Sequence, residues 1–319
     1  MERVRLGSLD TLVSRIGFGT WGLGGDSYGR VSEKEALAAL GCAYDQGINF
    51  YDTANIYGNG RSEKIVGKAF RAVRSKVLIA TKGGFLPGAK EQDFSARHIR
   101  ASLEDSLGRL QTDYVDVYQL HNPTLDAIKN EELWETLEKL KNSGKIRAIG
   151  LSPRSPKDGV TTIQQFNVSC LQINFNVIDQ RALDCGLLDL TCRRKIGVVA
   201  RTPLCFGFLT GKITENTIFD ERDHRKQWPV EQIRRWASAP RLLNPLCEGK
   251  DRSLVGIALQ YCLAFPGISA LVAGMMSRKE VIENIAALNT SEKLVKKDLD
   301  FIRKIYLEHF SKPINSRRK

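Results

Sequence analysis

Eight times along the chain a short β-rich run gives way to an amphipathic helical stretch, and this alternation limits the fold more than any other feature. RIGFGT precedes SEKEALAALGCAYDQG, INFYD precedes SEKIVGKAFRAV, KVLIAT precedes SARHIRASLEDSLGRL, and DYVDVYQLH precedes NEELWETLEKLKNSG. KIRAIGLS then precedes SPKDGVTTIQQ, SCLQINF precedes RALDCGLLDLTCRRK, IGVVAR precedes a long connection, and GISALVAG precedes SRKEVIENIAAL. The hydrophobic period changes from strand to helix in each unit, and Gly or polar residues mark the joins. The first helix opens with Ser32-x-x-Glu35, a capping box that satisfies free amides at its start. Alternating β and α elements imply a parallel sheet. Eight of them suggest a closed (β/α)8 TIM barrel, here with a short N-terminal β-hairpin and a long loop after strand seven. In such a barrel the active site is built at the carboxyl ends of the strands.

The composition agrees with a single domain over 1–319. Of the 319 residues 42% are apolar and 26% charged, enough to bury one large core. No run approaches the ~18 consecutive apolar residues of a membrane span, and MERVRLGSLDTL lacks a secretory h-region. The seven cysteines are odd in number and contain no C-x-x-C pair, which favours reduced thiols and a cytoplasmic location. The net charge of +12 is spread along the chain, apart from a basic tail at 312–319 that reads as flexible. Without Cys–His ligand pairs or an aromatic–basic signature, a solvated basic surface explains it better than nucleic-acid binding. Nothing in the pattern fixes the number of subunits.

GFGTWG fits the dinucleotide fingerprint G-x-G-x-x-G but is rejected as one. That fingerprint opens a helix directly, whereas here the next helix begins near Ser32. Other strand ends are more informative. Asp52 closes INFYD, Lys82 follows KVLIAT, His121 closes DYVDVYQLH and Ser152 closes KIRAIGLS. Singly, each has a bland reading as a solvated or merely hydrogen-bonded residue. Together with Tyr57 they converge on one mouth of the barrel.

In order along nearly the whole chain, GINFYDTANIYGNGRSE, VLIATKGG, DYVDVYQLH, KIRAIGLS, LQINFN, TPLCFGFLTGK and GMMSRKEVIENIAAL resemble the aldo-keto reductase superfamily. The joint pattern is specific although no piece is. The resemblance implies carbonyl reduction by a nicotinamide cofactor, with Asp52, Tyr57, Lys82 and His121 as catalytic residues. It puts Ser152, Gln172 and Asn174 near the carboxamide, with Thr20, Trp21, Asp52 and Arg201 beside them. The loop Thr202–Lys212, including Pro203, Leu204, Thr210 and Gly211, would surround the pyrophosphate. Gly274 to Asn284, with Met276, Ser277, Arg278, Glu280 and Glu283, would surround the adenosine end. Read alone, GMMSRKEVIEN is simply a capped surface helix.

The chemistry suits the residue types independently. A carbonyl that accepts hydride gains negative charge on oxygen and needs a proton donor. Tyrosine, with a pKa of about 10, is protonated but sluggish, and a nearby ammonium makes it more acidic. Lys82 could supply that charge to Tyr57 while Asp52 orients the lysine. His121 could donate a hydrogen bond to the developing oxyanion.

The chain departs from many relatives at four positions. Pro153 stands where an Asn often follows the serine, and Phe175 where a tyrosine is frequent. Arg201 replaces an aromatic that stacks on the nicotinamide, so reduced cofactor should be preferred to oxidised. Glu280 occupies a position often held by Gln or Arg near the ribose 2′-phosphate, where Ser277 and Arg278 could still attract that phosphate. NADP(H) is favoured on family habit, with NAD(H) open. Trp21, Ile56, Tyr57, His121 and Asn122 would wall the site of a small carbonyl substrate. The 213–251 segment reads as a lid over a polar, sugar-like compound, or its Trp228 and Trp236 simply pin it to the barrel. A cofactor-bound regulatory subunit with little turnover is the alternative function. Cys205, in the expected cofactor loop, is the thiol whose oxidation would inhibit.

Overall fold

The computed structural model describes residues 1–312; the rest of the basic tail lies outside the described residues. Eight strands close into the expected barrel: β1 Ile16–Gly19, β2 Phe50–Asp52, β3 Leu78–Gly83, β4 Val115–His121, β5 Ile146–Ser152, β6 Cys170–Asn174, β7 Gly197–Arg201 and β8 Ala270–Gly274. Every neighbouring pair is parallel, and β8 closes on β1. One main helix follows each strand: α1 Glu33–Asp45, α2 Arg61–Phe70, α3 Ala96–Leu110, α4 Glu131–Asn142, α5 Pro156–Gln165, α6 Leu187–Arg194, α7 Leu254–Leu263 and α8 Arg278–Leu288. Ser32 caps α1 and Glu35 bonds back to it, closing the capping box read from the sequence. No helix among the described residues is long and apolar enough to cross a membrane.

Two apolar layers hold the barrel. The larger lies between strands and helices. The smaller fills the barrel interior with Phe50, Leu78, Ala80, Val117, Ala148, Cys170, Val199, Ala270 and Val272. The antiparallel hairpin Arg3–Val4 with Val13–Ser14 closes the amino end of that interior. Leu6, Leu9 and Val13 join the interior layer, each side chain contributing about 2 kcal/mol of burial.

Strand side chains alternate between faces, so the interior residues fix what lies above them. Phe50 leads to Asp52, Ala80 to Lys82, Val117 to Gln119 and then His121, Cys170 to Gln172 and Asn174, and Val199 to Arg201. The barrel interior is therefore apolar at its base and polar at its carboxyl mouth. The register brings the rim together by pairing Lys82 with Gln119, His121 with Ser152 and Asn174 with Arg201.

Candidate active site

Lys82 is the centre of the mouth. Its Nζ donates to Asp52 Oδ2 at 2.6 Å, to the Thr53 carbonyl at 2.8 Å and to the Tyr57 hydroxyl oxygen at 3.1 Å. The side chain is wholly buried and that of Asp52 nearly so. Burial opposes the ammonium charge, but Asp52 and Tyr57 outweigh it and draw the Lys82 pKa upward. The other Asp52 oxygen accepts from Gln172 Nε2 at 2.6 Å and Gln119 Nε2 at 3.1 Å. Asp52 is thus satisfied on both oxygens, as a buried charge requires.

The stretch Asn49–Glu63 exists to hold Tyr57 over this ammonium. Thr20 donates from N and Oγ1 to the Asp52 carbonyl, each at 2.9 Å. After Tyr57 the backbone turns through Gly58, Asn59 and Gly60, all at positive φ. A Cβ on Gly58 would lie 2.4 Å from the Gly24 carbonyl oxygen, so the β1–α1 and β2–α2 loops meet backbone to backbone. Arg61 then donates to the Leu23 and Val31 carbonyls. Ser62 Oγ donates to Thr20 Oγ1 at 2.7 Å, and the fully buried Glu63 accepts from Arg109 Nε at 2.6 Å and Thr81 Oγ1 at 2.5 Å. The half-buried phenol is left facing the mouth on a braced loop.

His121 stands across from it, with ring centroids 6.0 Å apart. Phe85 packs edge-on to the imidazole at 5.0 Å. Burial, aided by the charges of Lys82 and Arg201, holds the His121 pKa well below its ordinary 6.5. The neutral ring can donate a hydrogen bond but is no competing acid at neutral pH. The linkage has a definite sign: the unfolded chain protonates His121 near pH 6.5 and the folded one resists. Stability from this group is therefore complete above pH 6.5 and is lost as pH falls toward the depressed value, by about 1.4 kcal/mol per pH unit. In urea titrations between pH 7 and pH 5, His121→Gln should flatten that decline; an unchanged slope would contradict the neutral assignment.

The other residues expected from the sequence fall at the same mouth or around its rim. Trp21 begins a short turn, Trp21–Gly24, and its ring lies 6.2 Å from that of Tyr57. Ile56 and Asn122 are half-buried beside the two catalytic candidates. Ser152 Oγ is buried without a partner among the described residues. Gln172 spends its amide nitrogen on Asp52, and Asn174 Oδ1 accepts from Thr202 Oγ1 at 3.3 Å. Arg201 Nη2 donates to Asn122 Oδ1 at 3.2 Å and to the Pro153 carbonyl at 3.3 Å.

The loop after β7 stores backbone strain, with Thr202, Cys205 and Phe206 all at positive φ. Pro203 is buried there and Leu204 half-buried, while Gly211 and Lys212 emerge at the surface after Thr210. Burial pushes the Cys205 thiol well above its usual range, so it is a poor thiolate and poorly placed for oxidation. Beyond β8, exposed Gly274 leads to the capped start of α8: Glu280 N donates to Ser277 Oγ at 3.3 Å, and Glu280 Oε2 accepts from Met276 N at 2.6 Å. Arg278 is exposed, Asn284 is buried, and Glu283 lies 3.7 Å from Lys212.

The 213–251 segment adds residues that the sequence did not single out. His224 Nδ1 meets the Ser27 carbonyl at 2.7 Å, and Arg225 Nη1 donates to the Phe206 carbonyl at 2.9 Å. Trp228 and Trp236 pack on Phe206 at 4.9 and 5.8 Å, and Phe206 on Trp21 at 6.1 Å. These indoles pack the segment onto the loop after β7. Gln119 was also missed, although its strand parity with His121 marks it as facing inward.

Comparison with known proteins agrees with the barrel fold. The model of the Aldo/keto reductase family matches residues 15–307. L-galactose dehydrogenase of Arabidopsis thaliana is 35% identical over 92% of this chain and 90% of its own. The NADH-specific methylglyoxal reductase of Escherichia coli (strain K12) is 30% identical over 91% of this chain and 94% of its own. Among solved structures, the holo form of aldo-keto reductase AKR11C1 from Bacillus halodurans superposes with a TM-score of 0.79 at 30% identity, covering 100% of both chains. The chain belongs to the aldo/keto reductase family.

Proposed function

We propose that this chain reduces an aldehyde or ketone to an alcohol, with Tyr57 as the general acid and a nicotinamide cofactor as hydride donor. The observation that carries the reading is Lys82 Nζ shared between Asp52 Oδ2 at 2.6 Å and the Tyr57 hydroxyl at 3.1 Å. The ammonium favours the phenolate left after proton transfer, and Asp52 keeps the ammonium charged and fixed. Neutral His121 steadies the developing oxyanion from the opposite side. Proton delivery and charge stabilisation thus come from separate side chains.

The residues suit the cofactor. When bound, it supplies the hydride. The unpartnered hydroxyl of Ser152 and the amide of Asn174 would hold its carboxamide. The strained loop from Thr202 to Lys212 would hold its phosphates, and Ser277, Arg278 and Asn284 the adenosine end. NADP(H) is favoured on family habit alone and NAD(H) admitted, because the Glu280 carboxylate, held by Met276 N, would repel a ribose 2′-phosphate. Gln can accept the same bond from Met276 N, so Glu280→Gln removes only charge. It is expected to raise the affinity for NADPH over that for NADH by about fivefold, read by fluorescence titration. An unchanged ratio would remove Glu280 from cofactor choice.

The 213–251 segment is proposed to be a lid within one catalytic domain. The direct test follows loss of reduced-nicotinamide absorbance with NADPH and NADH against aromatic aldehydes, ketones and open-chain sugars. Turnover is the expected result. Tight cofactor binding with no turnover on any of them would overturn the reading in favour of a regulatory subunit.

A further inference from the structure

A shallow depression of about 370 Å³, largely open to solvent, lies beside His121, lined by Phe85, Lys90, Gln92, Asn122, Arg154 and Arg201. Its size falls in the range of about 300–1,000 Å³ usual for small-molecule sites. Three cations line it and no acid does. No carboxylate among the described residues pairs with Lys90, Arg154 or Arg201, although most buried or half-buried arginines elsewhere in the chain have such a partner. Arg201 is the clearest case. Its Nε is buried without a hydrogen-bond partner among the described residues, and burial lowers its pKa. Asp52 and Asp179 act on this half-buried guanidinium only from a distance; burying a charge without a paired ion is costly, and an incoming anion relieves that cost.

The cavity is built rather than incidental. Arg154 Nη2 donates to Gln92 Oε1 at 2.7 Å, and its Nε donates to the Asn122 carbonyl at 2.8 Å. Gln92 Nε2 donates in turn to the His121 carbonyl at 2.8 Å. Arg201 reaches Asn122 Oδ1 from the far side. The loops after β3, β4, β5 and β7 are therefore tied together around the cations, directly against the backbone of His121.

We propose that Lys90, Arg154 and Arg201 form an anion-recognition site, and that the carbonyl compound reduced at Tyr57 carries a carboxylate. This rests on the reductase reading for the reaction but not for the binding. A carboxylate in the cavity would leave the carbonyl between His121 and Tyr57, and guanidinium groups suit its planar pair of oxygens.

The test pairs a binding measurement with turnover. Calorimetric titration of the full chain with NADPH present would compare terephthalate with neutral terephthalamide. Kinetics would compare para-carboxybenzaldehyde with para-carbamoylbenzaldehyde. Lys90 and Arg154 are exposed, so the variant Lys90→Gln/Arg154→Gln should fold. In the wild type the acid is expected to be favoured about tenfold in both assays, less so at high salt. In the variant both ratios should fall toward one. Turnover of the two aldehydes with equal kcat/KM and no preference for terephthalate overturns the anion site and leaves the reductase. Salt-sensitive terephthalate binding that the variant loses, with no turnover of these aldehydes or of the ketones and sugars above, supports the anion site and overturns the reductase.

Discussion

Tyr57→Phe is expected to lower kcat about a thousandfold, the scale of a lost general acid, while cofactor affinity stays within about twofold. The substitution removes one oxygen from a half-buried ring. Lys82 keeps its bonds to Asp52 and the Thr53 carbonyl, so the ammonium is not orphaned. The unfolding free energy should therefore change by less than about 1 kcal/mol. Single-turnover kinetics and a urea midpoint on the same preparation would separate chemistry from folding. A kcat within tenfold of wild type would show that another group delivers the proton. Neutral His121 would be a poor candidate for it, since burial holds its pKa down.

Lys82→Met should have the opposite balance, with both activity and stability lost. Asp52 is 3% exposed, and without Lys82 it would retain only the amides of Gln119 and Gln172. Removing one partner of a buried ion pair costs about 3–5 kcal/mol, because the remaining charge has left water without compensation. Removing both charges should restore much of that, so Asp52→Asn/Lys82→Met is expected to be more stable than Lys82→Met alone. Denaturant titrations of the wild type, both single variants and the double variant measure the coupling directly. Additive losses would mean that Asp52 is better solvated than its burial suggests. The double variant should remain inactive, since Tyr57 would have lost its ammonium.

The barrel was legible because each strand–helix unit repeats the same change of period, and eight repetitions leave few topologies. The strand-end groups Asp52, Lys82 and His121 were legible for a related reason: a charged or titratable residue ending an apolar run has few places to go in such a fold. Gln119 was overlooked because it sits inside DYVDVYQLH, where an amide reads as a tolerated polar residue. Only the inward parity of Val117 and His121 gives it a role. Arg61, Ser62 and Glu63 were visible as part of a motif, but their bonds to Leu23, Thr20 and Arg109 cross between elements and leave no local pattern. The cationic cavity was hidden for the same reason, since Lys90 and Arg154 come from two separate loops and Arg201 from the end of β7. The anchoring of the 213–251 segment through Arg225 to the Phe206 carbonyl depends on a backbone shape that no sequence pattern announces.

The aromatic packing around Phe206 has an optical consequence. The chain has four tryptophans, and three of them, Trp21, Trp228 and Trp236, touch this cluster. Trp228 and Trp236 are only 5.1 Å apart between ring centroids, close enough for their excited states to mix. The fourth, Trp134, stacks on Phe166 in the outer layer. Intrinsic emission and near-ultraviolet dichroism should therefore be dominated by the join between the 213–251 segment and the mouth. The enzyme carries its own reporter of whether that join is closed, and no attached dye is needed to watch it respond to a ligand.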